Sequence, residues 1–282
     1  MKHLSSTLWL LSALVLLCGC GGGERTSGPL SSPPSDPPVQ GVNAAGNWQF
    51  STTSTAGMSP ATIAGSIAQS GVSVSGAVHV DGSNCFDRLT TMGLTGTLTG
   101  GSISLTSTSV AGQVTTFTGS FTDNALTGTY SPGQFTGTYT ITGGCANGDQ
   151  GNVTGIKIPY IANILNGTFT TSGGGTFDVA GDIAQDSVSS AEGSFGVTGK
   201  ATFSTSCFSS GTIKSGTFPS GSFIMGTSVA FEFEAGNGTI AFIGTWNLDK
   251  GEISGDYTVF GGTCDQTGTA VLIASSPWDY GP

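Results

Sequence analysis

Few side chains in this sequence are equipped for chemistry, and their spacing decides what each can do. His79 is the single histidine after the first 19 residues. Alternation over residues 72–81 puts it on one face with Ser75, Ala77 and Asp81, opposite Val74, Val78 and Val80. That face reads as solvated. A Ser-His-Asp site would need this histidine, and no Gly-x-Ser-x-Gly turn accompanies it. Glu232 and Glu234 alternate with Phe231 and Phe233, so their carboxyl groups share a face about 6.5–7 Å apart by strand rise. That spacing overlaps the separation inverting glycosidases use, which makes a cell-envelope glycan hydrolase the enzymatic alternative. Asp178 and Asp182 share another face, without the loop pattern of a helix-pair calcium site. Residues 193–201 suggest a phosphate loop, but Ala201 stands where a Ser or Thr would hold magnesium, and no helical pattern follows. They read as a turn. The expectation is a non-enzymatic chain with no metal and no cofactor.

The elements that must carry these residues are strands. Phe135, Gly137, Tyr139 and Ile141 alternate with Thr136, Thr138, Thr140 and Thr142; Val229, Phe231 and Phe233 alternate with Ala230, Glu232 and Glu234. One apolar and one polar face is the pattern of antiparallel sheet. Gly-containing turns recur about every 8–12 residues, as in a sandwich or barrel. Depletion of charged residues to 9% removes the usual helix-surface formers. It also removes the charges that guard sheet edges, which favours closed barrels over sandwiches.

The strand pattern occurs twice. Asn47-Trp48-Gln49-Phe50 resembles Asn166-Gly167-Thr168-Phe169, and Ala64-Gly65-Ser66-Ile67-Ala68-Gln69 resembles Ala180-Gly181-Asp182-Ile183-Ala184-Gln185. Cys85-Phe86 matches Cys207-Phe208, and Gly128-Thr129-Tyr130 matches Gly244-Thr245-Trp246. Tyr139 to Cys145 matches Tyr257 to Cys264. All five matches keep one order at offsets of about 116–122 residues, the mark of an internal repeat. The predicted architecture is all-β: two tandem antiparallel β-barrel domains, 46–157 and 164–275, followed by a tail, 276–282. Of the pairings open to Cys85, Cys145, Cys207 and Cys264, duplication favours Cys85–Cys145 and Cys207–Cys264 as disulfides. Partners 60 and 57 residues apart do not match zinc spacing.

The N-terminus carries an address. Residues 1–19 read as a secretory leader with an apolar run over 8–17. The run ends in Leu17-Cys18-Gly19-Cys20, which resembles the lipobox of bacterial lipoproteins. That resemblance implies cleavage before Cys20 and its acylation, hence attachment to a membrane through several chains. Gly21 stands where an Asp would resemble an inner-membrane retention signal, so the resemblance points to the outer membrane of a double-membraned cell. Residues 20–45 hold the lipidated cysteine and a Pro-, Gly- and Ser-rich tether, expected to be disordered, with a coil span of roughly 25–30 Å.

Gly46-Asn47-Trp48 resembles the Gly-x-Trp that opens calycins, the lipocalin and avidin-like barrels, and residues 125–130 resemble an avidin-like hairpin. The resemblance implies barrels in which Trp48 and Phe50 line or close the base as ligand-binding residues. Lipocalin-type members set a late Arg over that Trp; the nearest late cation here is Lys157.

A net charge of −10 with only 7 Lys and Arg excludes a nucleic-acid partner. Residues 46–157 carry four acids and two bases; residues 164–275 carry ten and three. The function expected is a membrane-anchored envelope protein binding a small molecule, a glycan or a protein. A structural alternative is an adhesive surface built on the Thr136–Thr142 ladder, which would need a flat sheet.

Overall fold

The computed structural model describes residues 42–56, 62–81, 84–87, 90–122 and 133–274. The leader, Cys20, residues 21–41 of the tether, residues 123–132 with Gly128-Thr129-Tyr130, and the tail lie outside the described residues; residues 42–45, expected to belong to the disordered tether, are described, and Ala44 is buried in the first core. All regular structure among the described residues is β.

The first eight strands are β1 (Gly46–Ser54), β2 (Thr62–Ser70), β3 (Ser73–Asp81), β4 (Thr90–Thr99), β5 (Ser102–Ser107), β6 (Val114–Thr122), β7 (Gln134–Thr142) and β8 (Gln150–Ile158). They follow each other up and down and close by antiparallel β1–β8 pairing. Closure leaves no strand edge, which suits a wall covered by Thr and Ser rather than charge.

The second group is β9 (Ala162–Thr171), β10 (Thr176–Gln185), β11 (Phe195–Phe203), β12 (Ser210–Ile213), β13 (Phe223–Met225), β14 (Ser228–Ala235), β15 (Gly238–Asn247), β16 (Glu252–Phe260) and β17 (Gln266–Ala274). It closes through β17–β9 and β10–β11. The nine strands fill eight wall positions. β12 pairs with the later half of β11 and β13 with its start, and both pair with β14. They are one strand, interrupted where residues 214–222 leave the wall. The corresponding β4 runs unbroken. The barrel architecture and the duplication expected from the sequence are therefore both present.

Register refines which residues correspond. Trp48 lies opposite Gly65 and Lys157, whereas Leu165 lies opposite Gly181 and Ala274. With Gly65 matching Gly181, the counterpart of Trp48 is Leu165 rather than Gly167. The shift is two residues, so every side chain keeps its face. Likewise the sixth strands align Phe117, Gly119 and Phe121 with Phe242, Gly244 and Trp246, with the same alternation of burial. The counterpart of Trp246 is thus Phe121, not Tyr130.

The barrels are joined by residues 159–161, which are fastened to the second barrel. Tyr160 donates its hydroxyl to the Gln185 carbonyl, and the Ile161 amide donates to Gln185 Oε1 at 3.2 Å. Ile156 and Ile158, on the outer side of β8, pack against the second core.

Candidate functional site

A calycin-like ligand cavity would lie inside a barrel, and both interiors are filled. Trp48 is 1% exposed and Phe50 6%. Their rings pack with Phe121 and Phe135 at centroid distances of 4.8–5.7 Å. Gly155, opposite Phe50, leaves the space that the Phe50 ring occupies: a Cβ there would stand 2.5 Å from it. The Trp48 indole donates to the Ala44 carbonyl at 2.8 Å, and Lys157 Nζ donates to the Asn43 carbonyl at 3.1 Å. The segment before β1 is thereby held across the base. Of the two roles expected for Trp48 and Phe50, lining or closing the base, the structure places both as buried core residues at the closed base. The interior of a small barrel is just wide enough for side chains to fill it. The second barrel is filled by Phe169, Phe177, Phe203, Phe233, Phe242 and Tyr257; Phe169 stacks on Phe177 at 5.0 Å, and edge-to-face contacts join Phe169 to Phe203, Phe242 and Tyr257 and Phe203 to Phe233.

The opposite mouths are plugged and stapled. Cys85–Cys145 joins the β3–β4 connection to the β7–β8 connection, and Cys207–Cys264 does the same in the second barrel. The residue after each first cysteine is the plug: Phe86 and Phe208 are buried, and Phe208 packs on Phe177 and Phe203 at 5.6 and 5.2 Å. An amide braces each staple. Gln113 Nε2 donates to the Cys85 carbonyl at 2.8 Å while its Oε1 accepts from the Ala146 amide at 2.9 Å. Asn237 Nδ2 donates to the Cys207 carbonyl at 2.8 Å. Sequence reasoning missed both braces, although a signal was present in the Gly-Gly before each second cysteine. Gly144 has φ +58°, and a Cβ there would stand 2.3 Å from Gln113 Cγ; a Cβ on Gly262 would stand 1.6 Å from the Asn237 carbonyl oxygen.

His79 is not on a wet face. It is 7% exposed, with the Phe218 ring 4.6 Å away. Phe218 belongs to the excursion 214–222, which together with the β13–β14 turn docks on the outer wall of β1–β3. Ala64 packs with Phe223, Met225 and Ala230. Asn47 exchanges two hydrogen bonds with the Gly226 backbone, at 3.0 and 2.7 Å, and Gln49 Oε1 accepts from the Thr227 amide at 3.1 Å. The alternation was right about the face; the cover comes from a residue 139 positions later in the chain.

Glu232 and Glu234 stand exposed on the outer wall of β14. Glu234 is tied to Lys214 at 2.6 Å in a solvent-exposed ion pair. Both carboxyl groups therefore lie on the solvent side of the closed wall, outside the core of the barrel. Residues 195–201 of the segment suggestive of a phosphate loop lie in strand β11, so only its first residues turn. Ser194 is fully buried, and its Oγ accepts from the Phe218 amide at 3.0 Å. Asp178 accepts from Thr168 at 2.9 Å and Asp182 is exposed; no cluster of three metal-ligating side chains occurs among the described residues. The Thr136–Thr142 ladder is exposed on β7, but on the curved wall of a closed barrel, so the flat array an adhesive face needs is not built.

A groove of about 670 Å³ lies on the outer wall of β10–β12. Asp182, Ala184, Thr198, Lys200, Thr212 and Lys214 line it. It offers paired charges and hydroxyls over a floor of small residues, a surface for a polar ligand or another protein. One side chain inside the second barrel is electrostatically unusual. Burial pushes the Tyr257 phenol above its ordinary value near 10, and its hydroxyl has no hydrogen-bond partner among the described residues. No protein-family model, no curated protein and no solved structure matches the chain.

Proposed function

We propose that this is a lipid-anchored envelope protein, attached through Cys20, that binds a glycan or protein partner on the outer walls of its stapled double barrel and carries out no catalysis. The observation that carries the binding mode is the filled interior: rings occupy both barrels, and Phe86 and Phe208 plug their mouths. Recognition is then left to the outside, where strand side chains are mostly Thr and Ser with scattered charges. The anchor is supported by the order of leader, Gly19-Cys20 and Pro-rich tether. Gly21 in place of Asp favours the outer membrane where the cell has one. The non-catalytic reading is supported by the cover over His79 and the open setting of Glu232 and Glu234.

Two measurements test the reading. Cells fed an alkyne fatty acid should label the wild-type chain and recover it with membranes, while Cys20→Ser loses both properties. Label persisting in Cys20→Ser removes the anchor. Anilinonaphthalene sulfonate and retinol should show no saturable binding to the native protein. Stoichiometric binding that quenches the buried indoles would restore the cavity and overturn the outer-wall mode.

A further inference from the structure

The outward positions of both barrels are mostly Thr and Ser, and the wall of β15–β17 departs from this. Ile243 is 73% exposed, Val271 46% and Ile273 54%. Val271 and Ile273 stand two apart on β17, so they leave by the outer face about 6.5–7 Å from each other, while Ala270, Leu272 and Ala274 join the core. Ile243 lies on the same wall beyond β16, opposite Asp256.

The duplication gives this wall a counterpart that is covered. Ile273 lies opposite Asn166 as Ile156 lies opposite Gln49, and the register that equates Trp48 with Leu165 makes these the same position in the two barrels. Ile156 is half-buried, because the chain that follows β8 carries the second core against it. Ile273 has no such cover among the described residues, and β17 ends at the next residue, Ala274.

The chain that follows, residues 275–282, has the side chains to supply one. Trp278 and Tyr280 stand two apart with Asp279 between them. Pro277 disfavours helical geometry at Ser276, and an extended chain sends both rings to one side and Asp279 to the other. The four residues from Ala274 to Trp278 span at most about 13–14 Å, which brings the rings within reach of Ile273 and Val271. Charge disfavours the other occupants. Residues 238–274 hold Asp249, Glu252, Asp256 and Asp265 against the single base Lys250, so this wall repels an anionic lipid surface and a second copy of an acidic chain. An extended segment meets the wall with two uncharged rings and leaves Asp279 in water.

We infer that residues 275–282 fold back onto the outer wall of β15–β17, with Trp278 over Ile273 and Val271 and Tyr280 towards Ile243. The segment after β17 then covers the second barrel where the chain after β8 covers the first.

Fluorescence on the full chain, made with Cys20→Ser so that it stays in solution without lipid, tests this. Beyond the leader the tryptophans are Trp48, Trp246 and Trp278, and the first two are buried. The difference between the unsubstituted chain and Trp278→Phe therefore isolates Trp278. A segment docked in most molecules should slow acrylamide quenching of Trp278 at least about threefold relative to free tryptophan amide. Ile273→Asp and Val271→Asp should each remove most of that protection, whereas Thr170→Asp, on the mouth half of β9, should leave it unchanged. Unchanged emission from Trp48 and Trp246 in the Trp278→Phe background will show that these exposed substitutions leave both cores intact. Quenching of Trp278 at the rate of the free amide, or protection indifferent to both Ile273→Asp and Val271→Asp, would overturn the docking. Protection that appears only with added phosphatidylcholine vesicles would assign the wall to lipid, and protection that fades on dilution would assign it to a second copy; either result also overturns it.

Discussion

The duplicated barrels contain an internal control in their paired tyrosines. Tyr139 and Tyr257 occupy the same position on the seventh strand of each barrel, opposite Gly151 and Gly268. Tyr139 Oη donates to Asp149 Oδ2 at 3.1 Å, and Ser54 Oγ donates to Oδ1 of the same carboxyl group at 2.5 Å. Asp149 is 0% exposed, so losing a donor leaves a buried acceptor short. By register its counterpart in the second barrel is Gln266, and Tyr257 Oη is buried without a partner among the described residues. Tyr139→Phe should therefore cost about 1–3 kcal/mol, whereas Tyr257→Phe should be neutral or stabilise by up to about 1 kcal/mol. In a cooperative unit of this size each kcal/mol moves the midpoint by roughly 2–4 °C. Urea unfolding followed through the buried Trp48 and Trp246 would measure both. The raised phenol adds a pH signature. Below about pH 10 Tyr257 is neutral in both states. As pH rises past 10 the unfolded chain ionises first, so the native protein loses stability until the folded phenol also ionises. Tyr257→Phe should abolish that alkaline loss. If Tyr257→Phe destabilises as much as Tyr139→Phe, or leaves the alkaline slope unchanged, the hydroxyl has a partner and the reasoning fails.

Reduction of Cys85–Cys145 or Cys207–Cys264 should cost about 4 kcal/mol each in the chain-entropy account, read as a drop in denaturation midpoint with reductant. Gln113→Ala removes two hydrogen bonds behind the first staple and should cost about 1–3 kcal/mol in the same assay, with the disulfide intact by mass. Gly226→Val should loosen the barrels from each other without unfolding either. Gly226 has φ +56°, and a Cβ there would meet Gln49 Oε1 at 2.2 Å. Calorimetry should then resolve two transitions, and a single unshifted one would show that the turn does not join them. Glu234→Gln should change stability by less than about 1 kcal/mol, because its ion pair with Lys214 is exposed.

Local chemistry was legible wherever one strand's alternation decided it. The apolar sides of β7, β10 and β14 face inward as their period of two requires, and Glu232 and Glu234 face outward for the same reason. Duplication made the cysteine pairing legible, because a matched pair in each repeat leaves one symmetric solution. Only the tertiary structure decided what lies across the wall. His79 shares its strand face with a solvated Ser75, yet it is buried because an excursion of the second barrel lands on it. Trp48 and Phe50 fill the barrel rather than line a cavity, because closure of eight strands brings four aromatic rings to one axis. Alternation tells a side chain which face it leaves by. What meets it there is set by contacts between residues distant in the chain, as far apart as His79 and Phe218, and no local pattern records them.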